Sequence, residues 1–444
     1  MMQAVSSDTI FALASAPGRA GIAVFRISGP GAHEVFARLC RCDVPLPWQA
    51  IRVRLHHPAT GEVVDDGLAL WFAAPRSFTG EDVVEVSLHG GRASVAATLE
   101  LLANLPSMRL AEPGEFTRRA FEHGKFDLTA AEGLADLVDA ETQAQLRQAR
   151  RQLDGELGRL YEAWRGRLLG SLAHLEAEID FVEEDLPDDA TAPLRSDISN
   201  LIKEIDGHLA DRHRGERLRD GVSVAIIGPP NVGKSSLLNM LSKRDVAIVA
   251  ARAGTTRDII EVHLDLGGYP VILADTAGLR DSADEVEAEG IRRARARARE
   301  ADLKLVIYDA SAPQIDSHII DLIDENTIVV SNKSDLAGAD LKLGVAALPV
   351  SAKTGAGIAE LLSRLESEVA RRFDTSGAPA ITRIRHRAAL TDCRDSLNRA
   401  LSAGAPELMA EDLRLATRAL GRITGRVGVE DLLDVIFKDF CIGK

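Results

Sequence analysis

Cysteine is scarce in this chain, and its spacing predicts neither a metal site nor a disulfide framework. The four cysteines are Cys40, Cys42, Cys393 and Cys441. They form no C-x-x-C pair, and the single C-x-C step has poor spacing for a metal site, which argues against structural zinc. We expect reduced thiols, as in cytosolic proteins.

The sequence also lacks the long apolar runs of a membrane protein. No run approaches the roughly 18 residues that span a bilayer. Residues 1–20 lack a charged stretch followed by a long apolar core, as a secretory signal would have. We therefore expect a cytoplasmic protein with no membrane partner. The length of 444 residues allows several domains.

An excess of positive charge is absent as well. The formal net charge is −14, which argues against a broad electropositive surface for nucleic acid. Any RNA contact must come from local basic runs, and such runs are more often solvated helix faces than binding sites. The candidate runs are Arg212-His213-Arg214 with Arg217 and Arg219, and Arg292-Arg293 with Arg295, Arg297 and Arg299.

The strongest motif is a phosphate-binding loop, Gly228-Pro229-Pro230-Asn231-Val232-Gly233-Lys234-Ser235. An apolar run at 222–227 precedes it and a helical pattern at 236–241 follows it. A strand, a glycine-rich turn and a helix N-terminus are what this motif needs to bind phosphate. We expect Lys234 to reach the β- and γ-phosphates and Ser235 to ligate Mg²⁺. The alternative is a chance match between a strand and a helix.

Two further motifs favour a nucleotide site and identify the base. Asp275-Thr276-Ala277-Gly278 and Asn332-Lys333-Ser334-Asp335 each follow an apolar strand pattern, and Ser351-Ala352-Lys353 follows a third. A carboxylate at Asp335 can accept from both N1–H and the exocyclic amine of guanine, which adenine does not offer. The order of the motifs predicts a GTPase. We expect the nucleotide to contact Asn231, Val232, Gly233, Lys234, Ser235, Ser236, Thr255, Thr256, Asp275, Thr276, Ala277, Gly278, Asn332, Lys333, Asp335, Ser351, Ala352 and Lys353.

The catalytic apparatus departs from that of small Ras-like GTPases. The position after D-x-x-G holds Leu279, which cannot orient water as the usual glutamine does. The acidic stretch 281–287 lies just downstream and is also compatible with a solvated helix N-terminus. We expect Thr256, in a switch loop, to complete Mg²⁺ coordination. The amide oxygen of Asn231 could bind a monovalent cation.

Hydrophobic periodicity predicts an α/β multidomain chain. We expect a mixed α/β N-terminal domain at 1–118, a helical middle domain at 119–219 that resumes at 374–444, and an inserted Ras-like P-loop GTPase domain at 220–373. The GTPase domain would have a parallel-rich sheet with helices on both faces. Predicted helices include one continuous helix carrying the stripe from Leu153 to Ile179, one at about 192–219, and two at about 384–403 and 407–422. Arg26 and Glu85 interrupt apolar strand patterns, and the simplest interpretation is that they face water.

Further motifs extend across the chain. They are Phe25-Arg26-Ile27-Ser28-Gly29, Ser77-Phe78-Thr79-Gly80-Glu81-Asp82, His89-Gly90-Gly91, Pro113-Gly114-Glu115-Phe116, Gly254-Thr255-Thr256-Arg257-Asp258 and the C-terminal tail Cys441-Ile442-Gly443-Lys444. With these motifs the chain resembles the MnmE (TrmE) family of tRNA-modification GTPases. The tail is the most specific sign, because ordinary GTPases lack it.

The resemblance implies a homodimer that forms a heterotetramer with an FAD-containing MnmG-like partner. Together they would install an aminomethyl or carboxymethylaminomethyl group at C5 of the wobble uridine (U34) of certain tRNAs. A reduced folate, 5,10-methylene- or 5-formyltetrahydrofolate, would supply the one-carbon unit. The implied folate contacts are Arg26, Glu85, Lys125 and Lys444, with Cys441 nearby in an open redox or substrate role.

For the GTPase, the resemblance implies Mg²⁺ at Ser235 and Thr256 and a K⁺ site at Asn231, Ala250, Arg252 and Thr255. It implies Glu287 as the general base acting on water. The rival interpretation is a regulatory GTPase switch that binds RNA or a ribosomal particle without chemistry. Era-like and Der-like GTPases share the nucleotide motifs but lack the N-terminal unit and the cysteine-bearing tail.

Overall fold

The computed structural model has two β-sheets and an extensive helical region, in agreement with the predicted α/β class. It describes residues 8–43, 45–180, 192–244, 246–248, 261–275, 296–311, 317–336, 346–373, 377, 379–438 and 440–443. Contacts divide the chain into two compact units: Met1–Ala135 with Gly421–Lys444, and Asp136–Leu420. The predicted boundaries at 118, 219 and 373 stay predictions. Among the described residues, no helix is both long and apolar enough to span a membrane.

The first unit is built on a six-stranded sheet. Its elements are β1 (Thr9–Leu13), β2 (Ile22–Ser28), α1 (Ala32–Cys40), β3 (Ile51–His56), β4 (Val63–Phe72), β5 (Val83–His89), α2 (Arg92–Ala103) and β6 (Met108–Leu110). The strand order is β3-β4-β5-β2-β1-β6. Neighbouring strands are antiparallel except β1 and β6, which are parallel. β2 and β5 contain the apolar strand patterns that Arg26 and Glu85 interrupt.

Alternation along β2 and β5 gives this sheet two different faces. Phe25 and Ile27 in β2, and Val84 and Val86 in β5, belong to a core that includes side chains of α1 and α2. Because successive side chains of a strand point to opposite faces, Arg26 and the residue it pairs with in β5 lie on the other face.

A series of helices follows. α3 (Glu115–Glu122) belongs to the first unit, and α4 (Leu128–Asp139) begins in the first unit and ends in the second. The second unit continues with α5 (Gln143–Leu153), α6 (Glu156–Asp180), α7 (Ala192–Leu209) and α8 (Arg214–Asp220). The predicted continuous helix with a stripe from Leu153 to Ile179 is wrong at its start. α5 ends at Leu153, and Gly155 has a φ of 82°, which only glycine adopts at low cost.

The helix predicted at about 192–219 is likewise two helices. Arg212 and His213 have left-handed φ values of 55° and 60° between them. The backbone N–H of His213 donates to the Asp211 carboxylate (3.0 Å). Aspartate side chains compete with helical hydrogen bonding in this way, so the chain turns although no glycine or proline marks the position.

The nucleotide motifs lie on a second six-stranded sheet. Its elements are β7 (Val222–Ile227), α9 (Lys234–Leu241), β8 (Glu261–Leu266), β9 (Tyr269–Asp275), β10 (Leu303–Asp309), α10 (Ser317–Ile320), β11 (Thr327–Asn332), β12 (Ala347–Pro349) and α11 (Ile358–Phe373), and residues 296–300 are also helical. The order is β12-β11-β10-β7-β9-β8, parallel except for the β8–β9 pair. The core is almost entirely Val, Ile and Leu, as expected for parallel strands buried on both faces.

Three helices complete the chain: α12 (Ile384–Ser402), α13 (Pro406–Thr424) and α14 (Glu430–Lys438). α12 packs along α7, so helical segments before and after the nucleotide sheet do meet, as the insertion hypothesis requires. α14 packs against α3 in the first unit, where Leu433 and Phe437 share a core with Leu128. The C-terminal segment therefore returns to the N-terminal sheet.

Candidate functional site

The phosphate loop leaves β7 and enters α9 through two glycines that no other residue could replace without movement. A Cβ on Gly228 would lie 2.2 Å from the Ile307 carbonyl oxygen, and one on Gly233 would lie 2.4 Å from the Asn332 amide nitrogen. Gly233 also has a φ of 95°, and Asn231 has a φ of 63°. These constraints bring the loop backbone to the start of a helix, where N–H groups favour phosphate.

Lys234 lies beneath this loop. Lys234 is only 6% exposed, and its Nζ donates to the carbonyl oxygens of Gly228 and Pro229, both at 2.8 Å. The ammonium group is thereby held at the concave side of the loop. Ser235 and Ser236 are exposed in the first turn of α9, so their hydroxyls are accessible at the same end of the helix.

Asn332 joins the phosphate loop to the loop that follows β12. It is 1% exposed. Its Nδ2 donates to the Val232 carbonyl oxygen (2.7 Å), and its Oδ1 accepts from the Ala352 N–H (3.0 Å). One buried amide thus connects the ends of three parallel strands, which always meet at the same sheet edge. This bridging role was not predicted from the sequence.

Asp335, the carboxylate predicted to contact guanine, is held by the loop that follows β12. The Ser351 hydroxyl, in a fully buried residue, donates to Oδ1 of Asp335 at 2.6 Å and accepts from the Thr354 N–H at 3.1 Å. The Ser351 hydrogen bond lowers the pKa of Asp335, and the charge of Lys353 acts in the same direction. An anionic Asp335 is the acceptor that two guanine N–H donors require.

Lys333, two residues before Asp335 in the chain, is fixed by an ion pair with Asp309. It has a left-handed φ of 61°, and its ammonium lies 2.5 Å from Oδ2 of Asp309 at the end of β10. Partial burial acts to raise the pKa of Asp309, but hydrogen bonds from Lys333 and Ser311 outweigh it and lower the pKa. The ion pair therefore persists at neutral pH and orients the Asn332–Asp335 segment.

The structure does not test the remaining nucleotide and metal predictions. Asp275 ends β9 as predicted, but its side chain is not among those described. The other predicted residues fall outside the described part of the chain, namely Ala250, Arg252, Thr255, Thr256, Thr276, Ala277, Gly278 and Glu287.

A second polar cluster lies in the first unit, around Arg26 and Glu85. The two residues are direct cross-strand partners, and Arg26 Nε donates to Glu85 Oε1 at 2.8 Å. Their side chains are 20% and 23% exposed. The Arg26 guanidinium lies over the rings of Phe78 and Phe116, 5.2 and 5.6 Å from their centroids. The prediction that these charges simply face water is wrong, because they pair on a partly covered face of the sheet.

The C-terminal tail reaches the same cluster. Arg26 Nη1 donates to the Gly443 carbonyl oxygen at 3.3 Å, and Ile442 forms an isolated bridge with Pro113. A Cβ on Gly443 would lie 2.3 Å from the Leu13 carbonyl oxygen, so glycine is required there. Cys441 is exposed, and Lys444 lies outside the described residues. Lys125 is also exposed, and its Nζ donates to the Pro75 carbonyl oxygen at 2.8 Å.

A buried ionic network that sequence reasoning missed supports this cluster. Arg119 has a side chain only 3% exposed and contacts the carboxylates of Glu81, Glu115 and Asp8. Glu81 also accepts from the buried Ser28 hydroxyl at 2.7 Å. The network connects β2 to the loop that carries Phe78. The S-F-T-G-E-D and P-G-E-F motifs were the available signal, since they supply Glu81 and Glu115.

The phosphate loop at the end of the central parallel strand, together with the Asp335 loop beside it, defines a P-loop GTPase. Comparison with known proteins then gives the family. The MnmE helical domain model matches residues 128–441, and the model of the GTP-binding protein TrmE N-terminus matches residues 9–125. The chain belongs to the MnmE family of tRNA modification GTPases, and it is an enzyme that binds and hydrolyses GTP.

Full-length relatives agree with this assignment. Proteins named tRNA modification GTPase MnmE are 55% identical in Paramagnetospirillum magneticum (99% of this chain, 100% of that one) and 56% identical in Parvibaculum lavamentivorans (98% and 100%). The one from Rhodospirillum rubrum is 55% identical (98% and 99%). Because the match includes the N-terminal unit and the tail, it disfavours the rival interpretation of a switch that lacks both.

Proposed function

We propose that this enzyme, with an FAD-containing MnmG-like partner, installs an aminomethyl or carboxymethylaminomethyl group at C5 of the wobble uridine of certain tRNAs. A reduced folate bound at the N-terminal unit supplies the one-carbon unit, and GTP hydrolysis drives domain motion. The observation that supports the folate proposal best is the Arg26–Glu85 pair beside the cysteine-bearing tail. We place this activity in the cytoplasm.

The donor set at this cluster fits a pterin. Glu85 Oε2 accepts no hydrogen bond from any described residue, so one carboxylate oxygen can accept from a pterin amine or ring N–H. Arg26 keeps Nη2 for an acceptor, and Phe78 and Phe116 lie beside it as apolar surfaces. Partly desolvated charges of this kind give strong, oriented hydrogen bonds. Arg26 and Glu85 would bind and orient the folate, while Cys441 and Lys444 would close the site from the tail.

Calorimetry with 5-formyltetrahydrofolate on the full-length protein tests this site. We expect saturable binding to the wild type and about tenfold or greater weakening in Glu85→Gln, because one charge-assisted hydrogen bond contributes about 1.5–3 kcal/mol. Glu100→Gln, an exposed change on α2 of the same unit, should bind like the wild type. Absence of wild-type binding would refute the folate proposal. The proposed modification reaction has a separate test, and unmodified wobble uridines in the tRNAs of cells lacking this protein would support it.

We further propose that Mg²⁺ binds at Ser235 and Thr256 and that K⁺ binds at Asn231 with Ala250, Arg252 and Thr255. The left-handed, exposed Asn231 places an amide oxygen donor within the phosphate loop. Hydrolysis should then be faster in K⁺ than in Na⁺ at constant Mg²⁺, and equal rates would refute the K⁺ site.

Glu287 is the proposed general base that acts on the attacking water. If Glu287→Ala leaves GTP turnover unchanged, this role for Glu287 is refuted.

Assembly is part of the same proposal. A homodimer formed through the N-terminal unit would cover apolar side chains that are exposed in this chain, such as Leu46 (73%), Trp48 (62%) and Leu68 (50%). Exposed apolar groups of this size often mark interaction surfaces. Sedimentation analysis should give a dimer alone and a heterotetramer with the FAD-containing partner. A monomer at micromolar concentration would refute the homodimer.

A further inference from the structure

Three arginine-containing segments that are distant in sequence meet in one cleft of the unit Asp136–Leu420. The cleft has a volume of about 860 Å³. Its walls come from the turn between α7 and α8, from residues 299–302 before β10, from residues 325–326 before β11, and from the end of α11. These strands begin at the cleft, so it lies at the opposite sheet edge from the phosphate loop and the guanine-reading loops.

The charge of this cleft differs from that of the whole chain. Among the described residues, six arginines line it together with four carboxylates, whereas the chain has a net charge of −14. Two of the carboxylates are already paired: Asp302 with Arg217 (3.0 Å) and Asp211 with Arg387 (2.7 Å). The lining arginines are Arg212, Arg214, Arg217, Arg299, Arg371 and Arg372.

Arg212 and Arg299 provide the uncommitted charge. Both are exposed, and neither forms an ion pair with any residue that the structure describes. Among the residues that the structure describes, Phe373 is the only Phe, Tyr or Trp side chain that lines the cleft. A cavity with free guanidinium groups and a lining that is more polar than apolar suits a polyanion better than an apolar protein segment.

The turn that presents Arg212 and Arg214 is held in place by contacts from another helix, which distinguishes it from a solvated helix face. Arg387 holds it from α12: its guanidinium contacts the Asp211 and Glu216 carboxylates and donates to the Leu209 carbonyl oxygen at 2.8 Å. Arg212 is held in the left-handed region. A backbone supported in this way loses less entropy when its side chains bind a ligand.

We propose that this cleft binds the phosphodiester backbone of the RNA substrate. The inference rests on the proposed function, since it assigns a docking surface to the tRNA. The volume exceeds that of one phosphate, and the arginines come from three separate segments, so a strand with several phosphates matches the site. Arginine forks pair with phosphate oxygens without reading sequence, so the cleft positions the tRNA and leaves base recognition to other residues.

The test measures how an unmodified tRNA transcript with a wobble uridine binds to the full-length protein. Binding is measured by fluorescence anisotropy over a range of salt concentrations. We expect Arg212→Gln/Arg299→Gln to raise Kd about tenfold and to reduce the slope of log K against log salt by about one to two. Arg212→Lys/Arg299→Lys should retain most of the affinity. The matched control is Arg147→Gln/Arg418→Gln, which removes two exposed arginines outside the cleft.

GTP hydrolysis, measured in parallel, should be unchanged in all three double variants, since the cleft and the nucleotide loops are at opposite sheet edges. Wild-type RNA affinity and salt slope in Arg212→Gln/Arg299→Gln would overturn the cleft proposal while leaving the proposed function intact. Loss of binding to the FAD-containing partner with unchanged RNA binding would also overturn it and assign the cleft to a protein. If the wild type fails to bind the transcript, both the cleft and the proposed tRNA function fail.

Discussion

The two sheets of this chain present their functional side chains in different ways. In the parallel nucleotide sheet, the strands are apolar and the polar motifs follow the strand ends, so each motif is contiguous in sequence. In the antiparallel N-terminal sheet, Arg26 and Glu85 lie within strands and meet only across the β2–β5 ladder. The first arrangement can be recognised from a short segment, whereas the second requires the strand register.

The difference predicts that damage to one site should leave the other intact. Lys234→Ala should lower kcat/KM for GTP about 10³-fold, because a charge that stabilises transferred phosphate is removed from a desolvated loop. Folate binding by the same variant should match the wild type. Lys243→Ala, an exposed change just beyond α9, is the control. GTP turnover within tenfold of the wild type in Lys234→Ala would contradict the assigned role.

Acid should lower the free energy of unfolding of the unit Asp136–Leu420, because His208 becomes protonated when this unit unfolds. Burial lowers the pKa of this histidine to about 4 against an ordinary 6.5, although the charge of Asp211 opposes the shift. The unfolded chain therefore binds more protons between these values, so stability present above pH 6.5 is lost as the pH falls through 4. The loss is at most about 3 kcal/mol.

Denaturant unfolding monitored by Trp164 tests this expectation, since its ring lies 5.6 Å from that of His208. Trp48→Phe/Trp71→Phe leaves Trp164 as the single reporter among three tryptophans. His208→Gln in that background should remove most of the pH dependence between 6.5 and 4. Equal pH dependence with and without His208 would show that other groups cause the acid sensitivity.

Base selectivity should be the next largest effect. Asp335→Asn should reduce the preference for GTP over ATP about 10–100-fold, because the loss of an anionic acceptor weakens hydrogen bonds that are each worth about 1.5–3 kcal/mol. Competition binding with the two nucleotides measures it, and Asp321→Asn is an exposed control in the same sheet region. An unchanged preference would remove Asp335 from guanine recognition.

The smallest expected effect is the loss of folate affinity when an exposed charge of the N-terminal unit is removed, as opposed to a partly buried one. Lys125→Ala should weaken polyglutamylated folate about two- to fivefold, since exposed ion pairs contribute about 0.2–1 kcal/mol. Monoglutamyl folate should be unaffected, and Lys438→Ala should have no effect on either. Equal losses with Lys125→Ala and Glu85→Gln would remove the distinction between the two kinds of contact.

Sequence reasoning located the nucleotide strands and loops well because their signals are local. Each loop follows an uninterrupted apolar strand, and the predicted segment 222–227 coincides with β7. Helix breaks were harder to predict. The turn at Arg212 and His213 has no glycine or proline, and it depends on the Asp211 side chain and on Arg387 from another helix.

The same limit applies to the sites. Asn332 was expected near the nucleotide, but its bridge between Val232 and Ala352 needs three loops in place. The Arg119 network joins residues from four segments of the first unit, and its members were visible only as parts of unexplained motifs. The basic runs were ambiguous in the sequence, which could not show that Arg212 and Arg299 line one cleft.

The amino-acid sequence alone determined the nucleotide chemistry of this protein, because a phosphate loop and its partner motifs are built from consecutive residues whose backbone and side chains act together. Tertiary structure decided which charges meet: Arg26 with Glu85 and the Gly443 carbonyl, and the arginines of the cleft with one another. Such meetings depend on strand register and helix packing over hundreds of residues, and no local pattern encodes the direction in which a distant side chain will point.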